Sequence, residues 1–128
     1  MTIKTELDTL RSSLPGCLVV AFGDSFSRLI LRSSHEKSIR REFLDELCGQ
    51  AANCFDLLDA TGPLGEVMAP GNGTANEAVV LTRTSTSVFV RSGDEASEFI
   101  CLVASTPANT GAMMHAAKQT LLKIVPEQ

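Results

Sequence analysis

The chain has 128 residues, a formal net charge of −4, and neither Trp nor Tyr. Apolar residues make up 44% of it and charged residues 20%, a balance typical of one folded domain spanning 1–128 rather than of a disordered chain. The basic residues are scattered, which argues against binding to nucleic acid. No apolar run reaches the ~18 to 20 residues of a membrane span and no signal peptide opens the chain, so we expect a cytoplasmic protein.

The first quarter of the chain predicts a helix followed by a hairpin. Apolar residues at helical spacing predict a helix from Thr2 to Ser13, and Pro15-Gly16 ends it. The apolar run from Cys17 to Phe22 and the extended run from Arg28 to Arg32 flank the turn signal Gly23-Asp24-Ser25. We therefore expect two antiparallel strands here.

The segment from Ser38 to Leu58 predicts a long amphipathic helix. At about 100° per residue its apolar arc, interrupted only by Arg40, covers roughly 200°, against the ~100° or more that packing on one sheet requires. We interpret the excess as a second contact surface, most simply with another copy of the chain. The arc contains Ile39, Phe43, Leu44, Leu47, Cys48, Ala51, Ala52, Cys54, Phe55, Leu57 and Leu58.

Glycine and proline crowd the stretch from Gly62 to Asn76, which predicts a flexible loop. A phosphate-binding loop is the alternative. The order Gly-Asn-Gly-Thr-Ala-Asn lacks the Gly-Lys-Ser/Thr ending of a P-loop, and the stretch precedes a strand where a dinucleotide-binding fingerprint would open a helix. We therefore favour a plain loop.

The last part of the chain predicts three strands and a helix. The runs Ala78 to Thr82 and Ser87 to Arg91 flank a short turn, and a third run extends from Phe99 to Ala104. Ser105 or Thr106 is expected to cap a final helix that has Pro107 at its first position and ends at Pro126.

The first and last predicted strands are apolar at every position, whereas a strand with one wet face would alternate. Both faces of the sheet must therefore be covered, with the long helix on one face and the two terminal helices on the other. We expect the strands 17–22 and 99–104 at the centre of the sheet and the strand 78–82 at its edge. An apolar edge strand offers unpaired backbone to another chain.

The four cysteines lie in apolar segments without the spacing of a zinc or redox site, which favours buried, reduced thiols. They are Cys17, Cys48, Cys54 and Cys101. Cys17 and Cys101 would be neighbours if their strands pair, and even then we expect them to stay reduced.

The sequence offers little material for catalysis. His35, placed in the loop before the long helix, and His115 are its two histidines, too few for a metal cluster or a histidine-based dyad. Three of the carboxylates fall on the polar side of the long helix. Exposure of that side to solvent accounts for their presence without a catalytic role. We expect no catalytic residues, no metal site and no cofactor.

Two short motifs, in a matching order of elements, resemble the roadblock family. Leu14-Pro15-Gly16 before a strand resembles its opening turn, and Pro107 to Gly111 resembles the start of its last helix. The resemblance implies a profilin-like fold of the α+β class: a three-layer α/β/α arrangement with a five-stranded antiparallel sheet and the order α-β-β-α-β-β-β-α.

The resemblance also implies a homodimer in which the long helices pack together and the third strands pair. In this chain those elements are 38–58 and 78–82, the same two elements whose residues indicate a partner. The expected interface residues are Phe43, Leu47, Ala51, Cys54, Leu58, Val79 and Leu81.

The function that follows is a non-enzymatic scaffold or regulator, and the partner that the resemblance implies is a Ras-like small GTPase or its complex. The alternative is a small-molecule sensor, because profilin-like sheets resemble sensory domains and the loop 62–76 would close over a pocket.

Overall fold

The structure, a computed structural model, describes residues 2–60, 76–93 and 96–125. The elements of this described part follow the predicted order. They are α1 (Ile3–Ser13), β1 (Cys17–Asp24), β2 (Leu29–His35), α2 (Arg41–Ala60), β3 (Glu77–Leu81), β4 (Ser85–Arg91), β5 (Glu98–Ser105) and α3 (Thr110–Ile124).

The five strands form one antiparallel sheet in the order β2-β1-β5-β4-β3. β1 and β5 pair with each other, with Ala21 opposite Cys101, and β3 lies at an edge. The sequence-based placement of the central strands and of the edge strand is confirmed.

Helices cover both faces of the sheet, which explains why β1 is apolar at successive positions. Val20 and Phe22 pack in a cluster with α1 and α3, while Val19 and Ala21 pack in a second cluster with α2. A strand side chain on either face is therefore removed from water, and each large one contributes about 1.5–3 kcal/mol to folding. The predicted three-layer arrangement is confirmed.

Each of the terminal helices α1 and α3 begins after a residue whose side chain caps the N-terminus of the helix. Thr2 caps α1, since its hydroxyl accepts a hydrogen bond from the N–H of Thr5 at 3.2 Å. The prediction for α3 was wrong: Asn109 is the N-cap, and its side-chain oxygen accepts from the N–H of Ala112 at 3.0 Å. Ser105 still belongs to β5, where its N–H donates to the carbonyl of Gly16, so the chain cannot turn into a helix there.

The β1–β2 hairpin is longer than predicted, and its register shifts beside Phe22 and Gly23. A Cβ on Gly23 would stand 2.9 Å from the carbonyl oxygen of Leu29 and 2.9 Å from Cζ of Phe99, so this position requires glycine. β2 extends to His35, which is therefore a strand residue and not a loop residue as predicted.

Two further features bear on the predictions. α2 begins at Arg41 and ends at Ala60, a shift of a few residues from the predicted bounds. No helix in the described ranges is long and apolar enough to span a membrane. The predicted loop 62–76 lies outside the described residues except for Asn76.

Candidate protein-interaction surface

The apolar residues of α2 form two groups. One group is buried, and the other lies along one flank of the helix and is partly or largely exposed to solvent. The buried side chains are Leu44, Leu47, Cys48, Ala51, Ala52 and Phe55. All of these except Ala52 belong to the cluster that packs against the sheet. Leu47 and Ala51, two of the expected interface residues, are only 4% and 0% exposed. Within one protomer both pack in the cluster with the sheet, although Leu47 also lines the narrower part of a groove between α2 and β3. Periodicity defines the arc without dividing it, and the place of both residues in a dimer interface stays a prediction.

The other expected interface residues of α2 lie toward its flank. Phe43, Cys54 and Leu58 are half-buried, and Leu57, which the sequence placed only at the margin of the arc, is 65% exposed. Sequence reasoning missed Leu57 as an interface candidate, although its position at the margin of the apolar arc was the available signal.

A shallow groove separates this flank of α2 from β3. Its wider part has a volume of about 530 Å³ and its narrower part about 230 Å³. We call it the α2–β3 groove, and its main lining residues are Phe43, Glu46, Gln50, Cys54, Leu57 and Val80. The groove exists because the backbone of α2 lies closest to β2 and β1. These strands are at the end of the strand order opposite to β3.

β3 is the strand beside the groove, and its side chains alternate between the two faces of the sheet. Ala78 and Val80 pack toward α2. Val79 lies opposite Val88 of β4, which belongs to the cluster with α1 and α3. Val79 and Leu81 are therefore exposed on the face of the sheet opposite to α2. They would contribute to a dimer through strand pairing rather than through contact with α2.

The two edges of the sheet are not equivalent. At β2, Lys4 Nζ donates a hydrogen bond to the carbonyl of Ser33 at 3.0 Å, and Arg32 Nη1 donates to the carbonyl of Leu31 at 2.7 Å. A register shift also disturbs β2. Charged side chains and bulges hinder the addition of a further strand. Among the described residues, β3 pairs only with β4 and carries no such cap on its backbone carbonyls, so it is the edge better suited to a partner.

The cysteines have no catalytic setting. All four are free thiols, with Cys17, Cys48 and Cys101 buried and Cys54 half-buried. Burial raises the pKa of Cys17 to about 11 and also raises the pKa values of the other three, which keeps the thiols protonated and weakly nucleophilic at neutral pH. Cys17 and Cys101 are not neighbours: Cys17 lies opposite Ala104 and packs on the other face of the sheet.

His35 and Asp24 have local structural partners. His35 Nδ1 lies 2.8 Å from the carbonyl oxygen of Glu36, and His115 is exposed on α3. Asp24 accepts hydrogen bonds from the N–H groups of Phe26 and Ser27 in the hairpin turn. No group of three or more His, Cys, Asp or Glu side chains able to hold a metal ion occurs within residues 2–60, 76–93 and 96–125.

A third depression lies on the α3 side of β3. It has a volume of about 240 Å³ and is lined by Glu77, Val90, Lys118, Leu121 and Leu122, among others. Pockets for small molecules usually measure about 300–1,000 Å³, and an ion pair between Lys118 and Glu77 occupies its polar side. This depression alone is too small to support the small-molecule alternative, and the loop 62–76 which that alternative invokes lies outside the described residues except for Asn76. The wider part of the α2–β3 groove reaches the volume of such pockets, but it is shallow, carries both apolar and polar side chains, and lies beside a strand edge that is unpaired among the described residues, which suits a protein partner better.

Solved structures with the same arrangement of elements cover almost the whole chain. The Roadblock/LC7 domain from Streptomyces avermitilis has a TM-score of 0.78 and 10% identity over 99% of this chain and 98% of that one. The gliding protein MglB from Thermus thermophilus has a TM-score of 0.73 and 18% identity over 98% and 90% of the two chains. An MglB with a tetrameric arrangement gives 0.73 and 18% over 98% and 88%. No family model and no curated protein matches the sequence.

Proposed function

Since this chain has the roadblock fold, as the sequence resemblance predicts, we propose that it acts as a non-enzymatic, homodimeric scaffold or regulator. Its proposed partner is a Ras-like small GTPase or the complex in which that GTPase works. The dimer forms through the α2–β3 groove and the free edge of β3. The GTPase comes from the sequence resemblance, while the dimer is supported by the exposed apolar side chains of α2 and by the edge position of β3.

The observation that carries the proposal is that an apolar helix flank adjoins an open strand edge. A twofold dimer uses the same patch on both copies, so one β3 pairs antiparallel with the other, and the α2 flank of each copy packs near the groove of its partner. Such an arrangement covers Leu57, which is 65% exposed, and it satisfies the backbone groups of β3 that face away from β4.

Self-association also occurs in a protein of the same fold. One MglB has a tetrameric arrangement. At 18% identity this likeness extends to the fold, and we carry over only the idea that copies of such a chain associate with one another.

The dimer surface is tested by comparing two exposed leucines on different helices. Leu57 is 65% exposed on α2, and Leu122 is 67% exposed on α3. Leu57→Glu places a charge in the α2–β3 groove and should give a folded monomer, because an interface cannot desolvate that charge without a partner. Leu122→Glu is the matched control and should remain a dimer. Mass by size-exclusion chromatography with light scattering checks both, and equal masses for the two variants would contradict the proposed surface.

The GTPase is tested with purified Ras-like GTPases from the same cell, loaded with GDP or with a non-hydrolysable GTP analogue. The dimer should bind one nucleotide state more tightly, since a regulator must distinguish the two states. Isothermal titration calorimetry measures binding, and the rate of GTP hydrolysis separates a regulator from a tether. Equal affinity for both states, or binding that Leu57→Glu leaves unchanged, would contradict a role for the dimer in GTPase regulation.

A further inference from the structure

Arg91, the last residue of β4, has a side chain that is only 2% exposed. Burying a guanidinium removes it from water at a large cost unless its donors and its charge are satisfied within the protein. A buried charged side chain in the sheet therefore indicates a specific structural task.

The described partners of Arg91 include residues at the end of α2 and just before β3. Its Nη1 and Nη2 donate to Asp59 Oδ2 and Oδ1 at 3.1 and 2.6 Å, and its Nε donates to Asn76 Oδ1 at 3.0 Å. The backbone N–H of Arg91 donates to the carbonyl of Asn76 at 3.0 Å. Its guanidinium carbon lies 5.1 Å from the centre of the Phe55 ring, which is within range of a cation–π interaction. Asp59 lies in the last turn of α2, and Asn76 immediately precedes β3.

We propose that Arg91 is a positioning residue that fixes the distance between the end of α2 and the start of β3, and thereby the width of the α2–β3 groove. A bidentate arginine–carboxylate pair holds its two groups in one geometry. The apolar contacts at the groove are looser, since Ala78 and Val80 are only partly buried against α2. The inference rests on the proposed function in that the groove is where the second copy binds.

Asp59 is the residue of this cluster at which a charge can be removed with the smallest change in shape. Its hydrogen bonds to Arg91 lower the pKa of the Asp59 carboxyl below its ordinary value of 3.8, so the pair is ionised at neutral pH. The side chain of Asp59 is half-exposed, and Asp59→Asn keeps its shape while removing one of the two charges.

The chain offers a matched control on the other side of the sheet. Asp8 on α1 accepts hydrogen bonds from Ser34 Oγ at 2.5 Å and from Lys4 Nζ at 3.0 Å, and these hydrogen bonds likewise lower its pKa. Asp8→Asn therefore makes the same chemical change in a polar cluster that is remote from the α2–β3 groove.

The first experiment measures the dimer dissociation constant by sedimentation at 25 °C, with circular dichroism to show that each variant is folded. We expect Asp59→Asn to weaken the dimer about tenfold, which corresponds to about 1.4 kcal/mol, and Asp8→Asn to leave the affinity unchanged even where the two variants lose a similar amount of thermal stability. Arg91→Lys, which keeps the charge but loses the fork, should behave as Asp59→Asn does. Equal affinities for Asp59→Asn and Asp8→Asn would overturn the proposal while leaving the dimer itself in place.

A second experiment separates the positioning role from the dimer. In the Leu57→Glu background, where the groove is open to solvent, the half-buried Cys54 thiol lines the groove. If Arg91 holds the groove at its width, Asp59→Asn should speed the alkylation of Cys54 by N-ethylmaleimide severalfold relative to Asp8→Asn. Equal alkylation rates would overturn the positioning role, whatever the oligomeric state of the unmodified protein.

Discussion

At the scale of single residues, two leucines on α2 have opposite environments. Leu47 is 4% exposed, packs against the sheet and lines the narrower part of the groove, whereas Leu57 is 65% exposed and lines its wider part. Both satisfied the apolar periodicity of the predicted helix. A helical pattern shows which side chains share an arc, but the border between core and surface depends on where the helix axis lies over the sheet, and that position is a tertiary property.

The buried leucine makes a direct prediction about stability. Leu47→Glu removes a core side chain and places a carboxylate among apolar residues, so we expect a loss of roughly 4 kcal/mol or more in the free energy of unfolding. The measurement is urea unfolding followed by circular dichroism. Leu122→Glu, at an exposed position on α3, should stay within about 0.5 kcal/mol of the unmodified protein. A Leu47→Glu variant as stable as the unmodified protein would show that the side chain at position 47 does not face the sheet.

At the scale of elements, the sequence predicted the helices, the strands and their order because the helices have a clear hydrophobic period, the strands are short apolar or extended runs, and breakers separate most of them. The continuous apolar runs of β1 and β5 also predicted their central positions, since only a covered strand is apolar on both faces. The cap of α3 was missed because Ser105, Thr106 and Asn109 are all acceptable caps. The choice depends on Ser105 remaining in the sheet, bonded to Gly16.

The roles of the two edge strands could not be predicted from either strand alone. β2 is capped by Lys4, which comes from α1, and by its own Arg32. A contact between a helix residue and the carbonyl of a strand residue 29 positions away is a long-range contact that no local pattern encodes. The edge position of β3 was easier to predict, because its apolar residues fall outside the two fully apolar strands that occupy the centre of the sheet, while the role of Val79 and Leu81 in an interface stays a prediction.

The capped edge of β2 gives a prediction about assembly. Replacing Lys4 and Arg32 with alanine uncovers two backbone carbonyls, so the double variant should form species larger than the unmodified protein at micromolar concentration. Analytical ultracentrifugation measures this. Lys37→Ala with Lys123→Ala removes the same charge from exposed positions and should not change the assembly. Identical size distributions for the two double variants would show that these side chains do not protect the edge.

At the scale of the whole molecule, the described residues form a sheet with one capped edge and one edge without such a cap, and α2 leaves a groove beside the uncapped one. In the proposed dimer that edge is closed by the second copy, which favours twofold symmetry over a filament. The proposed scaffold role depends on this closure, because the dimer is the surface that a GTPase would meet.

The mass of the unmodified protein in solution tests this account most directly. Light scattering at micromolar concentration should give twice the chain mass of 13.6 kDa, and the value should fall on dilution toward that of the single chain. A mass of one chain that stays constant over the micromolar range would contradict the account, since the α2–β3 groove and the free edge of β3 would then have no second copy to cover them.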